Sequence, residues 1–356
     1  MIFSLLFVLA SKNFFNDLSR KLEFYLVCCL FIILGGIRWK VGTDWYSYIF
    51  FFEINSSFAD FMGSMTFEPG YALLNYISKA ICNDYSVFLF ILAFFTVLLK
   101  ARPLYFFSTF PIFSLLIYFS FYLGDIAAVR QSLAISILVF STFYIVEKKL
   151  FLFLTLILIA SLIHISSIAF IPAYFLYHKK ISNMVLVLSL LIALVISLIP
   201  GFMHRLLTGI ISFVLRDDGR LALKIEMYSE LNFAEEVKGG MLSLLKRVII
   251  IPVYLLARPY VLPKYRHYDG FLNIFLFGNI LYILFYQSFP VIVRASTPFL
   301  FYEIFLLTSL LLAGRTFYQK LAIYFIISLY CISKLWFFLS IYWDLYIPYI
   351  SIFTKK

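Results

Sequence analysis

Apolar stretches of membrane-spanning length recur along this chain from its first residues to its last long run, broken only by short basic interruptions, and no other feature restricts its fold so severely. Such stretches read as transmembrane helices, because a helix satisfies its own backbone hydrogen bonds where no water is present. Hydrophobic residues make up 63% of the 356 and charged residues 13%, with a mean hydropathy of +0.99, far outside the soluble range. No segment between the runs is long and polar enough to fold as a separate soluble domain. Residues 1–356 therefore read as one integral membrane domain, with 203–240 as the longest extracytoplasmic loop. The opening MIFSLLFVLASK has neither a basic region before it nor a small-residue cleavage site after it, so it reads as a short first span rather than a signal peptide.

The basic interruptions set an expected topology, since short loops rich in Lys and Arg stay in the cytoplasm. Lys12 to Lys21, Lys100 to Arg102, Lys148 with Lys149, Lys179 with Lys180, Arg258 to His267 and, as a sixth, Arg315 to Lys320 qualify. Threading the chain through them predicts spans near 1–11, 22–37, 86–100, 104–123, 128–146, 183–203, 243–257, 270–288, 295–313 and 321–341. Leu150 to Tyr177 lies between two basic loops and must return to its own side, as two short spans meeting at His164 or a re-entrant pair. Phe67 to Asn83 reads as a partly buried surface or re-entrant helix outside the cytoplasm. The expected fold is an all-α polytopic membrane protein with about ten to twelve crossings.

Other classes find little support. The formal charge of +11 is dispersed between apolar runs rather than gathered on one face, which suits anionic lipid and membrane insertion and argues against a nucleic-acid partner. Cys28, Cys29, Cys82 and Cys331 show no metal or disulfide spacing and read as small buried hydrophobes. Walker and dinucleotide signatures are missing, as are HExxH and DxD.

The topology collects ionisable residues on one face: Arg38, Asp44, Glu68, Asp125, Arg130, His164 and Arg294. A charge at span depth costs a few kcal/mol unless paired or wet, so each is a functional candidate by default. The densest cluster is Arg38 to Tyr48, RWKVGTDWYSY, directly after an apolar span. Each residue also has a structural reading. Arg38 can snorkel to headgroups, and Asp44 can cap a helix beginning at Trp45. Pro69 suits a first helical position, with Glu68 at the positive helix end. His164, among Ser161, Ser166 and Ser167, is either internally hydrogen-bonded or a proton carrier at the mouth. Lys334 either pairs with Asp344 or snorkels.

Taken in order, Arg38, Gly42-Thr43-Asp44 with Tyr46 and Tyr48, Glu68-Pro69-Gly70-Tyr71, Arg130 before QSLAISI, His164 with Ser166-Ser167 and Pro172, and Arg294 before Tyr302 resemble the EpsG and Wzy-type polysaccharide polymerases. The chain departs from the pattern in its short first span and in Trp45, where many relatives carry Tyr. The resemblance implies a glycosyltransferase C-superfold-like enzyme at the outer face of the bacterial inner membrane. It would join oligosaccharide units carried on undecaprenyl diphosphate, making O-antigen, capsule or exopolysaccharide.

That chemistry assigns expected roles. A lipid-diphosphate leaving group calls for arginine's planar fork, supplied by Arg38, Arg130 and Arg294. The acceptor hydroxyl must lose a proton, for which Asp44, Glu68 and His164 are candidates that the sequence does not rank. Trp39, Trp45, Tyr46, Tyr48 and Tyr71 are sugar platforms or members of an interfacial aromatic belt. No metal or other cofactor is expected, since guanidinium groups neutralise the same charge. Expected partners are lipid-linked oligosaccharides, membrane lipids and a membrane protein that sets chain length. Residues 203–240, with RDDGR at 216–220, read as an amphipathic lid or a solvated loop. The rival readings are a lipid-linked oligosaccharide flippase, an O-antigen ligase and a sugar acyltransferase. The concentration of charge at one face and the lack of an internal repeat count against the flippase.

Overall fold

The computed structural model describes residues 1–15, 20–42, 44–64, 66–127, 129–199, 201–203, 205, 206, 247, 249–286 and 290–354. Regular structure among them is helical, and the one extended contact is an isolated antiparallel bridge between Arg38 and Ser351. The chain is an all-α polytopic membrane protein. Among the described residues, Tyr85–Phe107, Tyr268–Phe285, Ile292–Ala313 and Phe317–Tyr346 are long and apolar enough to cross a bilayer singly. The other stretches expected to span carry shorter apolar helices over part or all of their length.

Contacts divide the chain into two compact units, Met1–Ile171 with Ile304–Lys356, and Pro172–Glu303. The first begins with α1 (Ile2–Phe15), α2 (Arg20–Gly36), α3 (Trp45–Ile54), α4 (Phe58–Gly63), α5 (Pro69–Ile81) and α6 (Tyr85–Phe107). It continues with α7 (Pro111–Phe121), α8 (Leu123–Ala127), α9 (Arg130–Phe140), α10 (Thr142–Val146) and α11 (Leu150–Ile163). α2 packs along α6, α6 along α9, and α9 along α11, while the helix Phe317–Tyr346 lies against α7. Phe24, Phe31, Leu89, Leu116, Phe153 and Phe305 are wholly buried in this unit. Ile326, Leu329 and Trp336 of the last helix are exposed, as residues facing lipid rather than water would be.

Local chemistry starts and stops these helices where the sequence provides for it. Ser57 and Asp60 form a reciprocal capping box on α4, and Asp84 accepts from the Ser86 N–H at the start of α6. Lys79 of α5 donates to the carbonyls of Phe52, Glu53 and Asn55 at 2.7, 3.0 and 2.7 Å. A cation there satisfies the C-terminal carbonyls of α3 and fastens it to α5.

The expected loop at Lys100 to Arg102 is not a loop. α6 runs through it to Phe107, and the chain breaks instead at 108–110. Lys100, 1% exposed, forms an ion pair with Asp125 and donates to the carbonyl and hydroxyl of Ser132, each at 3.2 Å. The Tyr118 hydroxyl donates to the same carboxylate at 3.0 Å. Lys100 therefore cannot mark the cytoplasmic side while Asp125 marks the outer one. The reason is helix length: α7 has 11 residues, which rise roughly 16 Å, about half of the hydrocarbon thickness. The chain thus turns at α8 while still among packed helices, and the buried carboxylate requires a buried cation.

The expected break at His164 is present. α11 ends at Ile163, a 3₁₀ turn Ile165–Phe170 follows, and the chain folds back so that Phe170 meets Phe153 of α11 with ring centroids 6.3 Å apart.

The second unit contains the helices Pro172–Tyr177, Asn183–Ser197, Ile249–Val261, Tyr268–Phe285 and Pro290–Leu300. Its basic loop is tied down. Arg258 forks onto both oxygens of Asp269 at 2.8 Å and donates to the Ile181 carbonyl at 2.9 Å. Arg266 Nε donates to His267 Nε2 at 3.2 Å, which leaves Nδ1 of the neutral ring to donate to the Tyr177 hydroxyl at 2.6 Å. Burial, then the charge of Arg266, lowers the His267 pKa from 6.5 to about 4. The lid expected over 203–240, including Arg216 and Arg220, lies outside the described residues beyond Leu206.

Candidate functional site

The site begins where α2 ends. Ile37 and Trp39 pair with the chain's last segment: Trp39 N–H donates to the Ile350 carbonyl and Ile352 N–H to the Ile37 carbonyl, both at 2.8 Å. The pairing turns Arg38 inward, where it is 3% exposed. Its Nη1 donates to the Gly35 carbonyl at 2.6 Å and reaches the Ile126 carbonyl at 3.5 Å. The loop then turns through Lys40 at φ 54° and Gly42 at φ 105°, and the second of these suits glycine alone. Asp44 occupies the N-cap position of α3, but its side chain makes no capping bond and is exposed.

The aromatics beside it differ sharply in exposure. Trp45 is buried, with ring centroids 5.1 Å from Trp39 and 5.3 Å from Tyr85. Tyr46 is 69% exposed. Tyr48 is buried 5.3 Å from Phe67 and 5.7 Å from Tyr71, and it also interacts with Arg130. Tyr71 is wholly buried among Tyr48, Phe67 and Phe88.

Glu68 is the junction. Pro69 opens α5 as expected, and Glu68 sits at the N-cap, where its carboxylate caps nothing in its own helix. One oxygen instead holds the guanidinium of Arg130, the first residue of α9. The other accepts the Ile165 N–H at 3.1 Å and lies 3.9 Å from His164 Nδ1. Ser166 Oγ is 3.1 Å from the same ring nitrogen, and the Arg130 guanidinium stacks 4.7 Å above the Phe67 ring. Gly70 makes this approach possible: a Cβ there would stand 2.7 Å from the Leu162 carbonyl at the end of α11. Carboxylate, guanidinium and imidazole are thus gathered from three separate segments, with both carboxylate oxygens engaged. Their side chains are 15 to 21% exposed, enough for a ligand to reach them.

Of the expected residues, Glu68, Arg130 and His164 form one cluster, while Arg38 is held apart from it by the Gly35 and Ile126 carbonyls. Asp44 stands exposed at the start of α3, outside that cluster. Arg294 is exposed on Pro290–Leu300 and belongs to the second unit. Three further features complete the surroundings: Phe67 as the surface under Arg130, the Ile165 N–H on Glu68, and Tyr346 and Tyr349, which line a cavity together with Arg38. Phe67 stands beside Glu68 in the sequence and offered a signal; the two late tyrosines offered none. Among the described residues, no group of three or more His, Cys, Asp or Glu could hold a metal ion.

Fold and site together define a many-helix membrane protein with a cation, a carboxylate and an imidazole assembled at its helix breaks. The model of the EpsG family matches residues 1–351, and the chain belongs to that family of Wzy-like polysaccharide polymerases. No curated protein and no solved structure matches it.

Proposed function

We propose that this protein polymerises undecaprenyl-diphosphate-linked oligosaccharide units at the periplasmic face of a bacterial inner membrane. The reading rests on family membership and on one observation, the contact of Glu68 with Arg130, Ile165 N–H and His164. In the transfer, the bond from the anomeric carbon of the growing glycan to its lipid diphosphate breaks, and a bond to the acceptor hydroxyl of the next unit forms. Arg130 and Arg38 hold the departing diphosphate, whose negative charge increases as that bond breaks. Both oxygens of Glu68 are engaged, so Glu68 orients the cluster and His164 takes the hydroxyl proton. Asp44 and Tyr46, both exposed, border the mouth that admits the sugars, and Trp45 and Tyr71, which are buried, support it from beneath. The scheme requires no metal or cofactor, because guanidinium groups supply the positive charge. A membrane protein that sets chain length is the partner such a product calls for.

Electrophoresis of surface glycan tests this in a deletion strain complemented with wild type, Glu68→Gln, Arg130→Ala or His164→Ala at matched expression. The expected result is a ladder with wild type and a single-unit band with the vector and the variants. Loss of even the single unit on deletion would overturn polymerisation in favour of export or ligation. A normal ladder from all three variants would displace the site.

A further inference from the structure

Arg38 also lines a cavity of about 440 Å³ within the first unit, walled by Leu34, Phe119, Ile126, Leu335, Leu339 and Tyr346. Apart from Arg38 and Met1, which carries the α-amino group, the lining residues are apolar or aromatic, and no carboxylate is among them. The guanidinium is buried, its Nε has no hydrogen-bond partner, and among the described residues no acidic side chain lies within ion-pair distance of it. The two carbonyls it meets carry only partial charge. A buried, uncompensated cation is costly, so the site favours an anion. The walls favour a hydrocarbon chain. Together they describe an amphiphile with one apolar tail and an anionic head.

We infer that this cavity holds the head-proximal isoprene units of the polyprenyl diphosphate carrier, with Arg38 turned to the diphosphate. The assignment rests on the polymerase reading and adds to it the place where the carrier's tail runs. Two observations favour this occupant over a phospholipid. Ring contacts run from Trp39, next to Arg38, through Trp45, Tyr85, Phe88 and Tyr71 to Phe67, on which Arg130 stacks, so the loop of Arg38 and the cluster around Glu68 share one packed aromatic layer. The cavity volume suits a segment of one chain, whereas a phospholipid brings two chains from one headgroup.

The test uses full-length protein in phosphatidylcholine nanodiscs and measures retention of radiolabelled undecaprenyl diphosphate, with inorganic diphosphate and phosphatidylglycerol as competitors. Leu339→Trp fills the cavity. Leu335→Trp obstructs the same helix face one turn away if the first variant does not fold. Ile326→Trp, on the exposed side of that helix, is the control. Leu339→Trp and Arg38→Gln should each lower retention about tenfold. Ile326→Trp should leave it unchanged, and neither competitor should displace the carrier at equal concentration.

Wild-type retention in both cavity-filled variants would overturn the assignment, and so would displacement by phosphatidylglycerol, which would make the cavity a site for bulk lipid. If a cavity-filled variant both retains the carrier and builds a normal glycan ladder, the cavity assignment fails while the polymerase reading stands. If wild type retains the carrier through Arg38 and Leu339 yet its loss leaves the ladder intact, the polymerase reading fails instead.

Discussion

Glu68 holds Arg130 across 62 residues of sequence, and the contact joins the starts of α5 and α9. An arginine at a helix N-terminus faces the positive end of the helix dipole, where a cation is disfavoured. Glu68 offsets that repulsion and keeps the guanidinium over the Phe67 ring. The pair thus makes an electrostatically poor position for the helix tolerable.

Arg130→Ala should lower polymer yield on the order of 100-fold, and Arg130→Lys should recover only part of it because the planar fork is lost. The charge exchange Glu68→Arg with Arg130→Glu should restore protein level but not polymer. Quantified glycan ladders beside immunoblots separate the two effects, and a fully active exchange variant would reduce the pair to a structural role.

Gly70→Ala places a methyl carbon 2.7 Å from the Leu162 carbonyl. Backbone must move, at a cost of about 1–3 kcal/mol, and α5 must withdraw from the turn at His164. Thermal unfolding of the detergent-solubilised variant should show a lower Tm, with polymer yield falling further than the Tm alone explains. An unchanged ladder would show that this close approach is dispensable.

Removing one partner of the Lys100–Asp125 pair should be severe. Lys100→Met leaves a buried carboxylate uncompensated, and breaking such pairs costs about 3–5 kcal/mol. Adding Asp125→Asn removes the stranded charge while keeping an acceptor for Tyr118, so the double variant should regain much of the lost Tm. Equal Tm values for the single and double variants would refute the coupling.

His267 gives a pH signature. Its native pKa, about 4, lies below the ordinary 6.5, so between these values the unfolded chain binds a proton that the folded chain does not. The stability associated with its neutral form is complete above pH 6.5 and is lost as pH falls toward 4. Wild type should therefore lose more Tm between pH 7.5 and pH 5 than His267→Gln, read by thermal scans at constant ionic strength.

The helices were legible because membrane spans announce themselves by apolar runs, and the break at His164 because two basic loops enforce a return. Pro69 at the start of α5 followed from its missing N–H and its fixed φ. Lys100 was misread because the positive-inside rule counts cations without seeing their partners, and Asp125 is 25 residues away. Glu68, Arg130 and His164 were each visible as ionisable residues near span ends. Their meeting was not, since it depends on how α5, α9 and α11 pack. Asp44 was correctly placed at the start of α3, yet the hydrogen bond a cap would make is absent.

The backbone pairing of Ile37 and Trp39 with Ile350 and Ile352 also has a temporal side. The ribosome delivers one half of that contact early and the other more than 300 residues later, as the 315-residue separation of Leu34 and Tyr349 shows. Until then Arg38 lacks the strand that turns it inward. The first residue of the candidate site therefore reaches its final setting only after the last segment has been made.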